Sequence, residues 1–240
     1  MNRLEDIMIT LPANIGANAD YPELEFVLLD YNSSDGLGKW VARKMKKHID
    51  SGRLVYYRAE EPEFYSMAHS RNVAFKVATG DIVCNLDADN FTFDGTPVSL
   101  SWATWLGDMA DNHPWRTVFC KTKQLTIMHG RIGFWKNEFI ELLGGYNEEL
   151  KGYGFDDQDL AERAVGLGFE LVKWGGSYFY RIQTGSKKKD DNLKEHWDKT
   201  RRENRELSRA NLAKGIFKAN DGRHWGKAAL TRNFTTGVEV

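Results

Sequence analysis

The chain has little cysteine and no long apolar run. Its two cysteines, Cys84 and Cys120, lie far apart in apolar surroundings without metal-binding spacing, which predicts buried, reduced thiols and a cytoplasmic protein. No stretch approaches the roughly 18–20 apolar residues that span a bilayer, and residues 1–9 show no signal-peptide pattern. These absences argue against a secreted or membrane-spanning protein.

The chain also lacks a strong net charge. Its 33 Lys and Arg residues nearly balance its 34 Asp and Glu residues, so a broad electrostatic attraction to nucleic acid is not expected. The basic run at 187–189 could steer an anionic acceptor or a peripheral contact with the inner membrane face, although a solvated loop is the commoner arrangement. A discrete small-molecule site fits this composition better, and homo-oligomerisation stays open.

The first half of the chain alternates apolar strands with helical patterns. Strands are predicted at 24–30, 53–57 and 81–86, and helices at 4–15, 37–50 and 66–79, with Pro12 ending or bending the first helix. This alternation predicts an α/β fold with a mostly parallel sheet flanked by helices. Ligands bind at the carboxyl ends of such strands, where Asp30, Asp87 and Asp89 are placed.

The second half is less regular. Strands are predicted at 118–128, 171–174 and 178–182, and helices at 137–143, 158–167 and 193–214. With no repeat and no low-complexity linker, we predict a catalytic domain over residues 1–186. Residues 187–240 are predicted to form a helical and irregular extension packed on that domain.

The segment Asp87-Ala88-Asp89 is the most informative local feature. Two carboxylates one residue apart at a strand exit offer hard oxygen ligands to Mn²⁺ or Mg²⁺, which in turn can neutralise a diphosphate leaving group. Such a segment also occurs by chance and often caps a turn. Its place after an unbroken apolar strand favours the metal interpretation.

A second acidic cluster, at 156–159, lies near the predicted start of a helix. Acidic residues there commonly complement the exposed amides and the helix dipole. That explanation accounts for one or two of the three carboxylates. We therefore predict Asp157 as a general base for an acceptor hydroxyl and Asp156 as a carboxylate that orients the acceptor.

Other candidate residues have common structural explanations. Arg71 could be a surface residue or could bind a nucleotide base or phosphate near a strand end. His69 and His129 are plausible ligands, although isolated histidines are usually structural. Tryptophans beside glycine, such as Trp105 and Trp174, could stack on sugars but more often pack in a core.

Taken in order, these segments resemble the glycosyltransferase A fold, particularly family 2 and the related galactosyltransferase group with a glycine-rich acidic motif. The matching segments are 26–35, 68–72, 85–89, 144–148 and 154–160. The resemblance covers roughly residues 1–182. It implies a Rossmann-like sheet with a helical C-terminal extension, and a cytoplasmic hexosyltransferase.

The resemblance also implies roles for individual residues. The positions implied to contact the nucleotide are Asp30, Asn32, Arg71, Asp87 and Ala88. Asp87 and Asp89 are implied to hold Mn²⁺ or Mg²⁺, with Asp89 the direct ligand, and Asp157 matches the family's catalytic base. Asp30 corresponds to an acid that contacts uracil or ribose, so a UDP-sugar is the implied donor.

Three departures from the family pattern affect these implications. Residues 1–3 look like the loop after the family's first strand, so the central strand of the sheet is expected to be missing or supplied by another segment or subunit. The acid usually written as Glu is Asp156, which is one methylene shorter. Thr184 stands about where related galactosyltransferases place a metal-binding histidine.

The implied reaction is an inverting, metal-dependent transfer from a UDP-sugar to a hydroxyl acceptor. Galactose or N-acetylgalactosamine is the expected sugar, and a surface polysaccharide or glycolipid is the expected acceptor. Two alternatives stay open: a nucleotidyltransferase with a similar acidic metal site, and an inactive protein that binds nucleotide-sugars.

Overall fold

The computed structural model describes residues 1–93, 102–120, 131–174, 180–183 and 190–239. The described helices are α1 (Leu4–Ala17), α2 (Leu37–Lys44), α3 (Lys46–Asp50), α4 (Met67–Val77), α5 (Trp102–Asn112), α6 (Lys136–Glu141), α7 (Asp156–Gly166) and α8 (Trp197–Ala213). The described strands are β1 (Phe26–Tyr31), β2 (Leu54–Ala59), β3 (Ile82–Cys84), β4 (Thr117–Cys120), β5 (Ile132–Trp135), β6 (Glu170–Lys173), β7 (Ala229–Arg232) and β8 (Thr235–Glu239).

The strands form two four-stranded sheets, in the orders β1-β2-β7-β8 and β3-β5-β4-β6. Pairs β1–β2 and β4–β6 are parallel, whereas the other four pairs are antiparallel. The predicted α/β fold is confirmed, but the described sheets are mixed rather than mostly parallel. One reason is that a tight hairpin extends the first sheet: Asn233 and Phe234 both have positive φ, which suits a two-residue turn between antiparallel strands.

The two sheets are joined through a helix. No described strand pairs with both β1 and β3. Instead, α4 packs Val73 into the core beside the first sheet, and Ala68 and Phe75 into the core of the second. Because α4 contributes to both cores, its polar side chains are fixed relative to the strand ends of both sheets.

The helix predicted over 4–15 is present and extends two residues further. It continues through Pro12 to Ala17. Ile15 adds to its buried apolar face, and Asn14 accepts a hydrogen bond from the Thr92 amide and donates one to the carbonyl of Asn90. These tertiary contacts favour the helix beyond the proline, so the alternative that Pro12 ends it was wrong.

Other predicted boundaries shift by a few residues. The helix predicted over 37–50 divides at Met45 into α2 and α3. Of the strand predicted over 178–182, only 180–182 lies among the described residues, where Arg181 makes an isolated bridge with Asn90. Residues 121–128 of another predicted strand, and the predicted domain boundary at 186, lie outside them.

The described residues of the C-terminal extension contact the rest of the chain at several places, two of which involve its helix and its hairpin. In α8, Asn204 donates hydrogen bonds to the carbonyls of Lys151 and Gly154, which precede α7. The β7–β8 hairpin pairs with β2. Among the described helices, none combines the length and the apolar composition needed to cross a bilayer.

Candidate active site

The first predicted acidic segment follows β3. Asp87 lies in a turn that the Asn90 amide closes by donating to the Asp87 carbonyl. One carboxylate oxygen of Asp87, Oδ1, accepts hydrogen bonds from Arg71 Nη2 at 2.7 Å and from Asn85 Nδ2 at 3.0 Å. The side chain is 33% exposed, so this carboxylate is both anchored and reachable from solvent.

The second acidic segment lies in the first turn of α7. This helix begins at Asp156, two residues earlier than predicted. Phe155 precedes the helix with a φ of 70°, and Gly154 before it has a φ of 93°. These left-handed residues lead directly into the first turn, where both acids contact the guanidinium of Arg71. Asp156 is buried, whereas the Asp157 side chain is 16% exposed.

Arg71 joins the two acidic segments. Its Nη1 donates to Asp157 Oδ1 at 2.6 Å and to Asp156 Oδ2, while its Nη2 binds Asp87. The guanidinium also lies over the ring of Tyr146, 5.4 Å from the centroid. Carboxylates separated by 69 and 70 positions in the chain therefore converge on one buried guanidinium.

The charges at this cluster are strongly coupled. Burial opposes the charge on Arg71, but the surrounding carboxylates outweigh it and hold the pKa of Arg71 well above its ordinary value. Burial raises the pKa of Asp156, and Arg71 partly offsets that effect. Burial and the charge of Asp157 raise the pKa of Tyr146, whose hydroxyl donates to Asp157 Oδ1 at 3.3 Å. Tyr146 therefore stays a neutral donor to the candidate base.

The next residue on α4, Asn72, fixes the neighbouring loop. Its amide nitrogen donates to the carbonyl of Tyr146 and to Glu148, and its amide oxygen accepts from the Tyr146 amide, all at 2.8–2.9 Å. Arg71 and Asn72 are both buried. The alternative that Arg71 is a surface residue was therefore wrong.

The remaining acid of the first segment, Asp89, pairs with a different arginine, Arg3. Its Oδ2 is 3.3 Å from Arg3, which also pairs with Asp6. A second arginine, Arg131, is buried nearby. Burial lowers the pKa of Arg131 to about 10 despite the opposing effects of Asp87 and Asp89. Cationic side chains thus surround the segment predicted to hold a metal.

The donor set suits a divalent cation held jointly with a substrate. Asp87 and Asp89 offer the hard oxygens that Mg²⁺ and Mn²⁺ prefer. Within the described parts of the chain, no group of three or more His, Cys, Asp or Glu side chains could hold a metal ion. Mg²⁺ is commonly bound by one or two carboxylates plus substrate phosphates, so two protein ligands are compatible with this arrangement. The position of Thr184 lies outside the described residues.

The predicted nucleotide residues at the end of β1 are enclosed. The Asp30 side chain is fully buried, and its carboxylate accepts hydrogen bonds from the Tyr56 hydroxyl, Arg58 and the Ser33 amide at 2.7–2.8 Å. A nucleotide would have to displace some of these groups to reach Asp30. The nucleotide role of Asp30 stays a prediction.

The other predicted nucleotide positions also have partners within the chain. Asn32 has a φ of 52° and donates to the carbonyl of Pro62. The carbonyl of Ala88 accepts from the Thr10 hydroxyl at 2.7 Å, which connects α1 to the turn after β3. His69 Nδ1 lies 2.8 Å from the Tyr31 hydroxyl. His129 lies outside the described residues.

The tryptophans beside glycine pack in cores. Trp105 and Trp174 are buried together in one aromatic cluster with their ring centroids 5.3 Å apart. Trp225 packs against Phe139, and the Lys76 ammonium lies 4.1 Å from a Trp225 ring centroid. The packing interpretation of these residues is confirmed.

Sequence reasoning missed three residues of the site. Arg3 and Arg131 supply positive charge near Asp89, and Tyr146 supplies both a ring under Arg71 and a hydroxyl to Asp157. Tyr146 stands in the quoted segment 144–148, where its partner could not be read from spacing. Arg131 follows no motif, so nothing in the sequence indicated its position.

Comparison with known proteins agrees with this fold. Residues 2–96 match the model of glycosyl transferase family 2. Residues 1–349 of S. aureus TarS superpose with a TM-score of 0.57 at 18% identity, over 78% of this chain and 59% of that one. The same TarS fragment in complex with UDP superposes with a TM-score of 0.56 at 15% identity, over 87% of this chain and 69% of that one. The chain thus spans 59% of the first of these structures.

A third structure is more distant. The catalytic domain of Drosophila beta1,4galactosyltransferase 7, in complex with xylobiose, gives a TM-score of 0.47 at 14% identity, over 78% of this chain and 79% of that one. No curated protein matches the chain. The family match ends before α7, so the placement of Asp156 and Asp157 beside Asp87 comes from the structure alone.

Proposed function

Because the chain has the glycosyltransferase A fold and is family 2-like, we propose that it transfers a sugar from a UDP-sugar to a hydroxyl acceptor in polysaccharide or glycoconjugate synthesis. The observation that carries this proposal is the convergence of Asp87, Asp156 and Asp157 on Arg71. A donor-side carboxylate and a candidate base therefore share one site, as a transfer between two substrates requires.

Two observations support UDP as the nucleotide of the sugar donor. The TarS fragment with a similar fold was crystallised with UDP, and residues 2–96, which include the strand end at Asp30, match the family 2 model. Galactose or N-acetylgalactosamine remains our proposed sugar because of the glycine-rich acidic segment at 152–157. A saccharide or glycolipid acceptor fits a cytoplasmic enzyme that works at the inner face of a membrane.

Asp87 and Asp89 would hold Mn²⁺ or Mg²⁺ together with the donor diphosphate. When bound, such a cation supplies charge neutralisation to the leaving diphosphate. Arg3, near Asp89, places a further positive charge at the same strand end. Binding there would compete with the ion pairs that Arg3 and Arg71 now make with these carboxylates.

The chemistry assigned to the residues is a single displacement. The acceptor oxygen attacks the anomeric carbon as the bond from that carbon to the phosphate oxygen breaks, and UDP leaves from the opposite face. Asp157 takes the proton from the acceptor hydroxyl, a contribution of about 10²- to 10⁴-fold in typical enzymes. Asp156, buried and held by Arg71, orients the acceptor. The product has an inverted anomeric configuration.

The test is incubation of the purified chain with a panel of UDP-sugars and Mn²⁺, with and without EDTA. Slow release of UDP that EDTA abolishes supports a metal-dependent transferase. Formation of UTP that depends on pyrophosphate would identify a nucleotidyltransferase instead. A rise in melting temperature with UDP but no turnover of any donor would indicate a binding protein without activity.

A further inference from the structure

We infer that Arg71 is a positioning residue that holds the candidate base, Asp157, in fixed relation to the donor-side carboxylate, Asp87. This role differs from the nucleotide contact that the family resemblance implies for Arg71. It rests on the proposed function, because it assigns Arg71 a part in the same transfer reaction.

The donors of Arg71 are already engaged. Its two terminal nitrogens contact three carboxylates, its side chain is 5% exposed, and its planar face lies over Tyr146. To reach a nucleotide base, the guanidinium would have to leave carboxylates that are themselves partly or fully buried. Removing one partner of a buried ion pair is strongly destabilising, because the other charge stays buried without compensation. The geometry therefore favours a guanidinium that stays with the carboxylates.

The position of Arg71 on α4 makes it suitable for this task. The side-chain amide of its neighbour Asn72 donates to the Tyr146 carbonyl and accepts from the Tyr146 backbone N–H. The Tyr146 hydroxyl in turn donates to Asp157. One short stretch of α4 thus holds the loop before α7 and the acids of its first turn. Since α4 also packs against both sheets, the position of Asp157 is fixed relative to the strand end that carries Asp87.

The fork shape of arginine is essential to this arrangement. A guanidinium presents five N–H donors in a plane and can bind separate carboxylates from its two terminal nitrogens. A lysine ammonium is a compact point charge on a flexible stem and could neutralise the acids without fixing their separation. The Arg71→Lys variant therefore keeps the charge and loses the geometry.

The experiment compares Arg71→Lys with a matched control, Arg163→Lys. Arg163 is also buried and pairs with Asp159 at 2.8 Å, but its other contacts are backbone carbonyls and no contact to Asp156 or Asp157 is described. For each variant, the affinity for UDP is measured by calorimetry. The kcat and KM of transfer are measured with the donor that the wild-type chain turns over, and folding is followed by the melting temperature.

We expect Arg71→Lys to bind UDP within about 3-fold of the wild type, while kcat falls by about 10²-fold, the scale of a 1 Å misplacement of a catalytic group. The control should lose stability and keep the kcat of its folded fraction. A loss of UDP affinity of tenfold or more with kcat retained would identify Arg71 as a nucleotide contact and overturn the inference. An unchanged kcat would also overturn it.

Two further measurements keep the outcome interpretable. If Arg71→Lys does not fold, Arg71→Gln, which keeps a planar donor group and leaves all three carboxylates in place, is measured with Arg163→Gln as its control. A fall in kcat confined to Arg71→Gln supports the positioning role. Transfer at the wild-type rate in Arg71→Gln would exclude it. If the wild-type chain binds UDP but transfers no sugar, the proposed function fails, and this result is separate from any difference between the variants.

Discussion

Two buried arginines hold the same part of the molecule in different ways. Arg163 on α7 pairs with one carboxylate, Asp159, one helical turn earlier, and its other partners are the carbonyls of Leu143, Gly145 and Phe217. Arg71 on α4 instead pairs with three carboxylates. The first network is balanced in charge, whereas the second leaves an excess of two negative charges.

This difference separates a structural contact from a functional one. A balanced, fully enclosed pair fixes the chain and offers nothing to a substrate. An acidic excess is unfavourable in a buried place unless something positive joins it, and in an enzyme the missing charge can come from a substrate proton or a bound cation. The comparison therefore predicts that substitution of Arg163 lowers the free energy of unfolding, whereas substitution of the acids around Arg71 lowers the rate of sugar transfer.

The largest effect is expected from Asp157→Asn. Asparagine keeps the shape of aspartate but cannot take the acceptor proton, so transfer should fall by about 10²- to 10⁴-fold. UDP affinity should stay nearly the same because the proton is removed from the acceptor. Initial rates of UDP release and calorimetry with UDP provide the two measurements. Undiminished transfer would remove Asp157 from the role of base.

The next effect is a loss of stability in Arg163→Met. The Asp159 carboxylate is 1% exposed and would be left buried without its cation, which commonly costs about 3–5 kcal/mol. Urea denaturation measures the free energy of unfolding. The double variant Arg163→Met/Asp159→Asn removes both charges and should recover part of the loss. A double variant no more stable than the single one would show that the unpaired carboxylate is not the cause.

The sequence predicted the elements that local patterns specify. β1, β2 and α4 appear within two residues of their predicted ends because apolar periodicity and flanking turn residues determine them. The β7–β8 hairpin was missed because Phe234 occupies a turn position with a φ of 65°, where glycine or asparagine is the usual signal. Its ring stacks on Tyr56 at 4.6 Å, a tertiary contact that compensates for the unusual residue.

The acidic residues of the site were predictable for a similar reason, but their partners were not. Asp87 and Asp157 stand in short segments whose residue types already suggest metal binding and proton transfer. Arg71 was noticed, yet its partners lie 16, 85 and 86 positions away in sequence. Charge pairing over such separations depends on the packing of α4 between the two sheets, which no local pattern encodes.

A smaller effect is expected from Gly144→Ala, in the loop that Arg163 holds. Gly144 has a φ of 63°, and an added Cβ would overlap the carbonyl oxygen of Ala219. Backbone strain of this kind typically costs about 1–3 kcal/mol. Gly52→Ala is the control, since its φ is 75° but no described atom lies within 4 Å of the added Cβ. Equal losses in the two variants would show that the contact with Ala219 is unimportant.

The smallest effect is expected from an exposed ion pair, Lys46 with Asp50, which lies 2.7 Å apart on α3 with side chains 70% and 58% exposed. Such pairs contribute about 0.3–0.5 kcal/mol, so Lys46→Gln should lower the melting temperature of a chain this size by about 1–2 °C. The difference from the wild type should vanish in 1 M salt, where the screening length falls to about 3 Å. If Lys46→Gln destabilised the chain as much as Arg163→Met does, the exposed and the buried ion pair would contribute equally to stability, and burial would not distinguish them.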